Sequence, residues 1–123
     1  MEEIKYFLDS YTLIEIAKEN PNFSIFKDSI NFTGFTNLLE LHYRLMQDFG
    51  EKKADEITDL MRSIVINEDL KDIKLASKFR IRNIKRKFSY IDCLGYTMAL
   101  NRKMKFVTGD MEFKDLPNVE FIK

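Results

Sequence analysis

The chain has 123 residues, 45% hydrophobic and 13% aromatic, with 20 basic and 20 acidic side chains and a formal charge of zero. That length and apolar content suit a single globular domain over residues 1–123 and exclude a disordered chain. One cysteine, Cys93, excludes an internal disulfide and a cysteine zinc site. No apolar run nears the roughly 18 residues of a membrane span, and Met1-Glu2-Glu3 opens no signal-peptide pattern, so a reducing, cytoplasmic setting without a membrane partner is expected.

In chain order, Ile4 to Leu8 reads as a short buried strand, and Asp9 and Ser10 follow at once. A buried strand cannot carry an unpaired carboxylate through a core, so Asp9 belongs at its carboxyl end. Ser10 can cap a helix from Tyr11 to Glu19, which Asn20-Pro21-Asn22 ends. Phe23 to Ser29 suits a helical turn, and Ile30 to Thr33 a second strand broken by Gly34. Thr36 opens a helix in which Leu38, Leu41, Leu45 and Phe49 recur at near-helical intervals, with Thr36, Glu40 and Tyr43 on another face. Gly50 stops it. Glu51 to Arg62 is a further helix with Ala54, Ile57, Leu60 and Met61 inward. The β-branched run Ser63 to Ile66 is a third strand.

Asp69 to Arg82 reads as helix, Asn83 to Phe88 as a basic connection, and Ser89 to Arg102 as a largely buried helix whose charge between Tyr90 and Asn101 is Asp92 alone. Phe106-Val107 and Val119 to Ile122 supply the last strands. Strands separated by helices imply a mostly parallel sheet with helices on both faces. The zero net charge also hides an asymmetry. Eight bases and one acid, Asp72, fall between Lys71 and Lys87, so that strip carries +7 and the remainder −7. Within it Lys78, Arg82, Lys85, Arg86 and Lys87 are the candidate contacts to an RNA backbone; a solvated helix face is the plain alternative.

Asp9 and Asp110 both follow strands, Glu40 lies just inside the helix that Thr36 opens, and Asp92 is a lone acid on an apolar one. Oxygen-only carboxylate sets suit hard cations such as Mg²⁺, which orient water, lower its pKa and steady charge at a phosphodiester. Each acid also has a purely structural reading. Asp9 and Ser10 can cap a helix, Glu40 can be a solvated helix residue, Ser89 to Asp92 can form a capping box, and Gly109-Asp110 can be a turn. His42 is the only histidine, which excludes paired-histidine chemistry, and it suits surface or helix packing. Cys93 reads as a small core residue. No nucleotide-binding glycine loop is present.

Four stretches together resemble the PIN domain, and within it the single-domain VapC-type toxins. They are Phe7-Leu8-Asp9-Ser10, Thr36 to Leu41 around Glu40, Tyr90 to Ala99 around Asp92, and Val107-Thr108-Gly109-Asp110-Met111-Glu112-Phe113. The resemblance spans the chain. It implies a three-layer α/β/α sandwich with sheet order 3-2-1-4-5, and an endoribonuclease dependent on Mg²⁺ or Mn²⁺, leaving 5′-phosphate and 3′-hydroxyl ends. It further implies a homodimer held inactive by a small VapB-like antitoxin. Asp9, Asp92 and Asp110 would then be the principal metal ligands with Glu40 in the same catalytic cluster, and Ser10, Thr36, Thr108 and Glu112 would support them. Glu112 stands where the family commonly has Asp. A PIN-fold module that binds nucleic acid or protein without turnover is the alternative. An aspartyl-phosphate enzyme fits less well, because Asp9 is followed by Ser10-Tyr11 and not by a second Asp two residues on.

Overall fold

In the computed structural model, which describes residues 3–123, five strands form one parallel sheet in the order β3-β2-β1-β4-β5. The strands are β1 (Lys5–Leu8), β2 (Ile30–Gly34), β3 (Val65–Ile66), β4 (Lys105–Thr108) and β5 (Val119–Phe121). The helices are α1 (Ser10–Ala17), α2 (Phe35–Phe49), α3 (Glu51–Met61), α4 (Leu70–Arg82) and α5 (Tyr90–Asn101). Met1 and Glu2 lie outside the described residues, so the reading of the extreme N-terminus has no structural counterpart.

Alternation along the central strands builds two cores. Phe7 and Phe106 face one side, where they meet Cys93, Tyr96, Met98 and Ala99 of α5 with Phe113. Leu8 and Val107 face the other, among Leu13 of α1, Phe23 and Phe26, Leu41 and Leu45 of α2, and Ala54 of α3. A helix layer on each face of a parallel sheet is the expected α/β/α sandwich. No helix among the described residues is long and apolar enough to cross a membrane. Gly95 lets α5 sit close on the sheet, since a Cβ there would stand 3.1 Å from Phe7 and 3.2 Å from Phe106.

Several boundaries differ from the sequence reading. The first helix starts at Ser10 and its cap is Asp9, whose Oδ1 accepts from the Thr12 amide at 2.8 Å. The longer carboxylate side chain takes the capping role expected of Ser10. Segment Pro21–Asp28 winds as 3-10 turns. The third strand keeps two residues only, because Arg62–Ile64 continues α3 as a 3-10 turn. Leu60 and Phe49 are exposed instead of inward. Ala54, Ile57 and Met61 already occupy the packed face of α3, and Leu60 lies about 100° around from Met61.

Asp72, the one acid of the basic strip, is fully buried and does not face that strip's surface. Arg102 Nη1 and Nη2 each donate to its carboxylate at 2.7 Å, tying α4 to the end of α5. This bidentate pairing holds the Asp72 carboxyl below the usual carboxylate range. Removing one partner of a buried pair strands the other charge. Arg102→Ala is therefore expected to destabilise the fold by about 3 kcal/mol, read as a lowered urea midpoint at pH 7.

Candidate active site

The site follows from the neighbouring of β1 and β4. Leu8 pairs with Val107, and the chain leaves both strands at the same edge of the sheet. The Asp9 amide and the Thr12 hydroxyl both donate to the Val107 carbonyl, each at 3.1 Å, which ties the start of α1 to the end of β4. Asp9 thus stands at the carboxyl end of β1, and Asp110 two residues beyond β4. Strand order reverses here, with β2 and β4 on opposite sides of β1, the place where open parallel sheets leave a crevice.

Asp9, Glu40, Asp92 and Asp110 line one pocket of about 430 Å³ at this edge, together with Ser10, Tyr11, Tyr43 and Arg44. Two of the aspartates get there as helix caps and the third as the partner of one. Asp9 caps α1; Asp92 Oδ2 accepts from the Ser89 amide in a capping box at the start of α5; Asp110 Oδ1 accepts from the Glu112 amide and caps the 3-10 turn Met111–Phe113. Each cap occupies one carboxylate oxygen and leaves the second outside the cap. Capping and convergence on the pocket, posed by the sequence as alternatives, coexist.

Glu40 arrives by a different route. Gly34 donates its amide to Asn37 Oδ1 at 3.3 Å, Asn37 Nδ2 donates to Ser10 Oγ at 2.9 Å, and Ser10 Oγ donates to Glu40 Oε1. Asn37 is buried and was missed by the sequence reading, which treated it as one letter of a motif. A polar residue at an inward helical position was the available signal. Gly109 also has a packing reason beyond its turn, because a Cβ there would fall 2.2 Å from the Tyr11 ring.

The electrostatics reflect this crowding. Burial raises the Asp9 carboxyl to about 6 against hydrogen bonds from Thr108 and Thr12, and the charge of Asp92 adds to the rise. Asp92 is raised as well, by burial first and then by the charges of Asp110 and Glu40. Arg44, the one cation in the lining, donates to Asp48 at 3.1 Å. Among the described residues no group of three or more His, Cys, Asp or Glu side chains stands close enough, as packed, to hold a metal ion. The donor chemistry itself fits a hard divalent cation: four carboxylates, no sulfur, no imidazole.

The remaining expected residues divide. Ser10 and Thr108 serve the cluster, the second by accepting from the Asp110 amide at 3.1 Å. Thr36 does not. Its hydroxyl donates to Glu68 at 3.2 Å, and it lines a separate groove of about 900 Å³ between α2 and α3. Glu112 turns toward Arg86, 3.6 Å away. Arg86, expected to contact RNA, is half-buried and clamps Asp115 at 2.7 Å. Lys78, Arg82, Lys85 and Lys87 are exposed. His42 lies outside the carboxylate pocket and meets Asp55 at 2.7 Å. Cys93 is buried, and burial with the Asp92 charge lifts its thiol to about 11, well away from nucleophile range.

No protein-family model matches the chain, and no curated protein does. Solved structures match over nearly the full length. A toxin–antitoxin complex from Klebsiella pneumoniae aligns with a TM-score of 0.75 at 13% identity, over 94% of this chain and 95% of that one. VapBC2 from Rickettsia felis, bound to a DNA fragment from its promoter, aligns with a TM-score of 0.75 at 17% identity, over 97% and 98%. VapC20 of Mycobacterium tuberculosis, a sarcin-ricin loop cleaving toxin, aligns with a TM-score of 0.71 at 13% identity, over 89% and 91%. The chain has the PIN-type fold of the VapC toxins.

A raised carboxylate pKa has a consequence for stability. Asp9 holds its proton more tightly folded than unfolded, so its contribution is fully present below pH 4 and is lost as pH rises through about 6. Asn keeps the cap without the buried charge. Asp9→Asn should therefore gain on the wild type between pH 4 and 7, reaching on the order of 2–3 kcal/mol. Urea midpoints in EDTA at the two pH values measure it, and an equal difference at both would remove the burial argument.

Proposed function

We propose that the chain is a metal-dependent endoribonuclease acting as the toxin of a VapBC-type pair. The observation that carries this reading is the convergence of Asp9, Glu40, Asp92 and Asp110 in one pocket at the strands' carboxyl edge, on a fold whose solved examples include a toxin that cleaves the sarcin-ricin loop. Such a pocket has no use for these charges as packing; like charges crowded in a partly buried pocket raise one another's free energy. A site held in spite of that cost is a candidate for function.

Asp9, Asp92 and Asp110 are the residues to hold Mg²⁺ or Mn²⁺, with Glu40 in the same cluster. When bound, the cation supplies a Lewis acid that activates water and steadies charge on a phosphodiester. The protein's own work is positional. Helix caps fix Asp9 and Asp110, the Ser89 capping box fixes Asp92, and Ser10, itself held by Asn37, fixes Glu40. A single mobile carboxylate would lose that preorganisation. The pocket contains no imidazole, so no side chain is assigned as general base.

RNA approaches across the basic strip, where Lys78, Arg82, Lys85 and Lys87 supply sequence-independent attraction to phosphates. A cytoplasmic setting agrees with this substrate. Protein partners have a place as well. The groove between α2 and α3, with exposed Phe35 and Leu39 on its wall, suits an antitoxin's apolar segment or a second copy in a homodimer. An antitoxin silences a carboxylate pocket most directly by extending a basic side chain into it.

Incubating a defined RNA with the protein and Mg²⁺ or Mn²⁺ should give cleavage that EDTA abolishes. Asp9→Asn should fall to the EDTA background while keeping its fold and RNA binding. Either divalent ion should also raise the wild-type melting temperature and leave Asp9→Asn unmoved, because only the state that binds gains stability. Cleavage undiminished in EDTA, or full activity in Asp9→Asn, would remove the assignment.

Expression of the chain alone should slow growth, and co-expression of a small antitoxin encoded beside it should restore the rate. A nuclease that is harmless when expressed would keep the activity and lose the toxin role.

A further inference from the structure

The basic strip contains two kinds of arginine. Arg86 is neutralised. Its guanidinium bonds Asp115, lies near the Glu112 carboxylate, donates to the Glu112 carbonyl and covers the Phe88 ring at 5.2 Å. It ties the basic connection to the 3-10 turn that Asp110 caps. Arg44 and Arg102 are likewise held by Asp48 and Asp72. Arg80 and Arg82 form no ion pair among the described residues, and of these two Arg82 is exposed whereas Arg80 is half-buried.

The surroundings of Arg80 are specific. Its Nε is buried with no hydrogen-bond partner, and its guanidinium lies 4.2 Å over the ring of Tyr90. Tyr90 is 75% exposed, an unusual place for a large ring at the start of a helix. It is the first residue of α5, two before Asp92. The stacked pair therefore sits at the start of the helix that carries Asp92 in its first turn. A partly desolvated cation without a counter-ion is costly, and stacking on one ring does not replace an anion.

We infer that Arg80, held flat on Tyr90, is a phosphate anchor for the single RNA strand that enters the carboxylate pocket. This rests on the nuclease reading and names a contact within it. A planar guanidinium backed by a ring presents its outer edge for two parallel hydrogen bonds to one phosphate, which a lysine cannot copy. Tyr90 restricts the guanidinium's orientation before the strand arrives, so less freedom is lost on binding. The exposed part of the ring also offers a stacking face for an unpaired base next to that phosphate, which favours a single strand over a duplex. Arg86 keeps a structural role.

The test is binding of an unstructured 12-nucleotide RNA in EDTA, where nothing is cleaved, across 50–200 mM KCl by fluorescence anisotropy. Arg80→Gln should weaken binding by about three- to tenfold and reduce the slope of log affinity against log salt by about 0.7, the loss of one phosphate contact to a single strand. Arg80→Lys should restore most of the slope but only part of the affinity. Tyr90→Phe should bind as the wild type does, and Tyr90→Ala should weaken binding without changing the slope. Arg86→Gln should leave the slope unchanged, because its charge is already paired. Circular dichroism establishes that each variant is folded. A wild type that binds while Arg80→Gln keeps the same affinity and slope would overturn the anchor alone. A wild type with no affinity for RNA would remove the nuclease reading and the anchor with it.

Discussion

The shared acceptor at Val107 is the interaction on which the site depends. One carbonyl at the end of β4 takes the amide of Asp9 and the hydroxyl of Thr12. β1 and α1 are therefore fixed to β4 at the point where their acids emerge. A parallel sheet sends every strand out at one edge, but only adjacent strands bring their ends within a pocket's width, about 4.8 Å apart. The reversal of strand order at β1 then opens that edge instead of closing it with a crossing helix. Thr33 repeats the device on the other side, donating its hydroxyl to the Leu8 carbonyl at 2.7 Å. Buried threonines thus stitch the carboxyl ends of three neighbouring strands.

The same edge explains how acids can crowd without unfolding the domain. Helices start there, α1 directly after β1 and α5 after the basic connection, and their first amides need acceptors. Asp9, Asp92 and Asp110 meet that need with one oxygen each, while the partial positive charge at the starts of α1 and α5 offsets part of their repulsion. What remains uncompensated is visible in the raised carboxyls of Asp9 and Asp92. Stability and chemistry draw on the same atoms in opposite senses, as strained functional sites commonly do.

Much of this was legible in the sequence, for identifiable reasons. The parallel sheet follows from short apolar runs separated by helices, the candidate acids from runs that end in Asp, and the sheet order was implied only by the resemblance that the four motifs carry. The capping reading of Asp9 and Asp92 was legible for the same local reason: a cap is a relation within three residues. What could not be read are relations across 25 residues or more. Asp72 counted only as the one acid of a basic strip, and its partner Arg102 stands thirty residues on. Thr36 matched a motif position but answers to Glu68, and Arg86 matched a basic strip but answers to Asp115. The third strand contracted because Ser63 and Ile64 belong to the 3-10 turn that continues α3, which leaves Val65 and Ile66 to pair with β2.

The two charges that the fold pairs off, Asp72 and Arg86, bear on the meaning of the strip. Counting letters gives it one acid and eight bases, yet the acid faces inward and one of the bases is spent on Asp115 and Glu112. Burying Asp72 removes the only negative charge that would have broken the strip's outer field, and its partner Arg102 comes from outside the strip. The strip's outward charge is therefore more uniform than its composition indicates. Across the sheet edge lies a pocket of uncompensated carboxylates. A polyanion guided by such a field is attracted everywhere except at the acids, so it can settle over them only when a cation offsets their charge. On the nuclease reading, substrate placement and metal occupancy are then linked by electrostatics before any bond is broken.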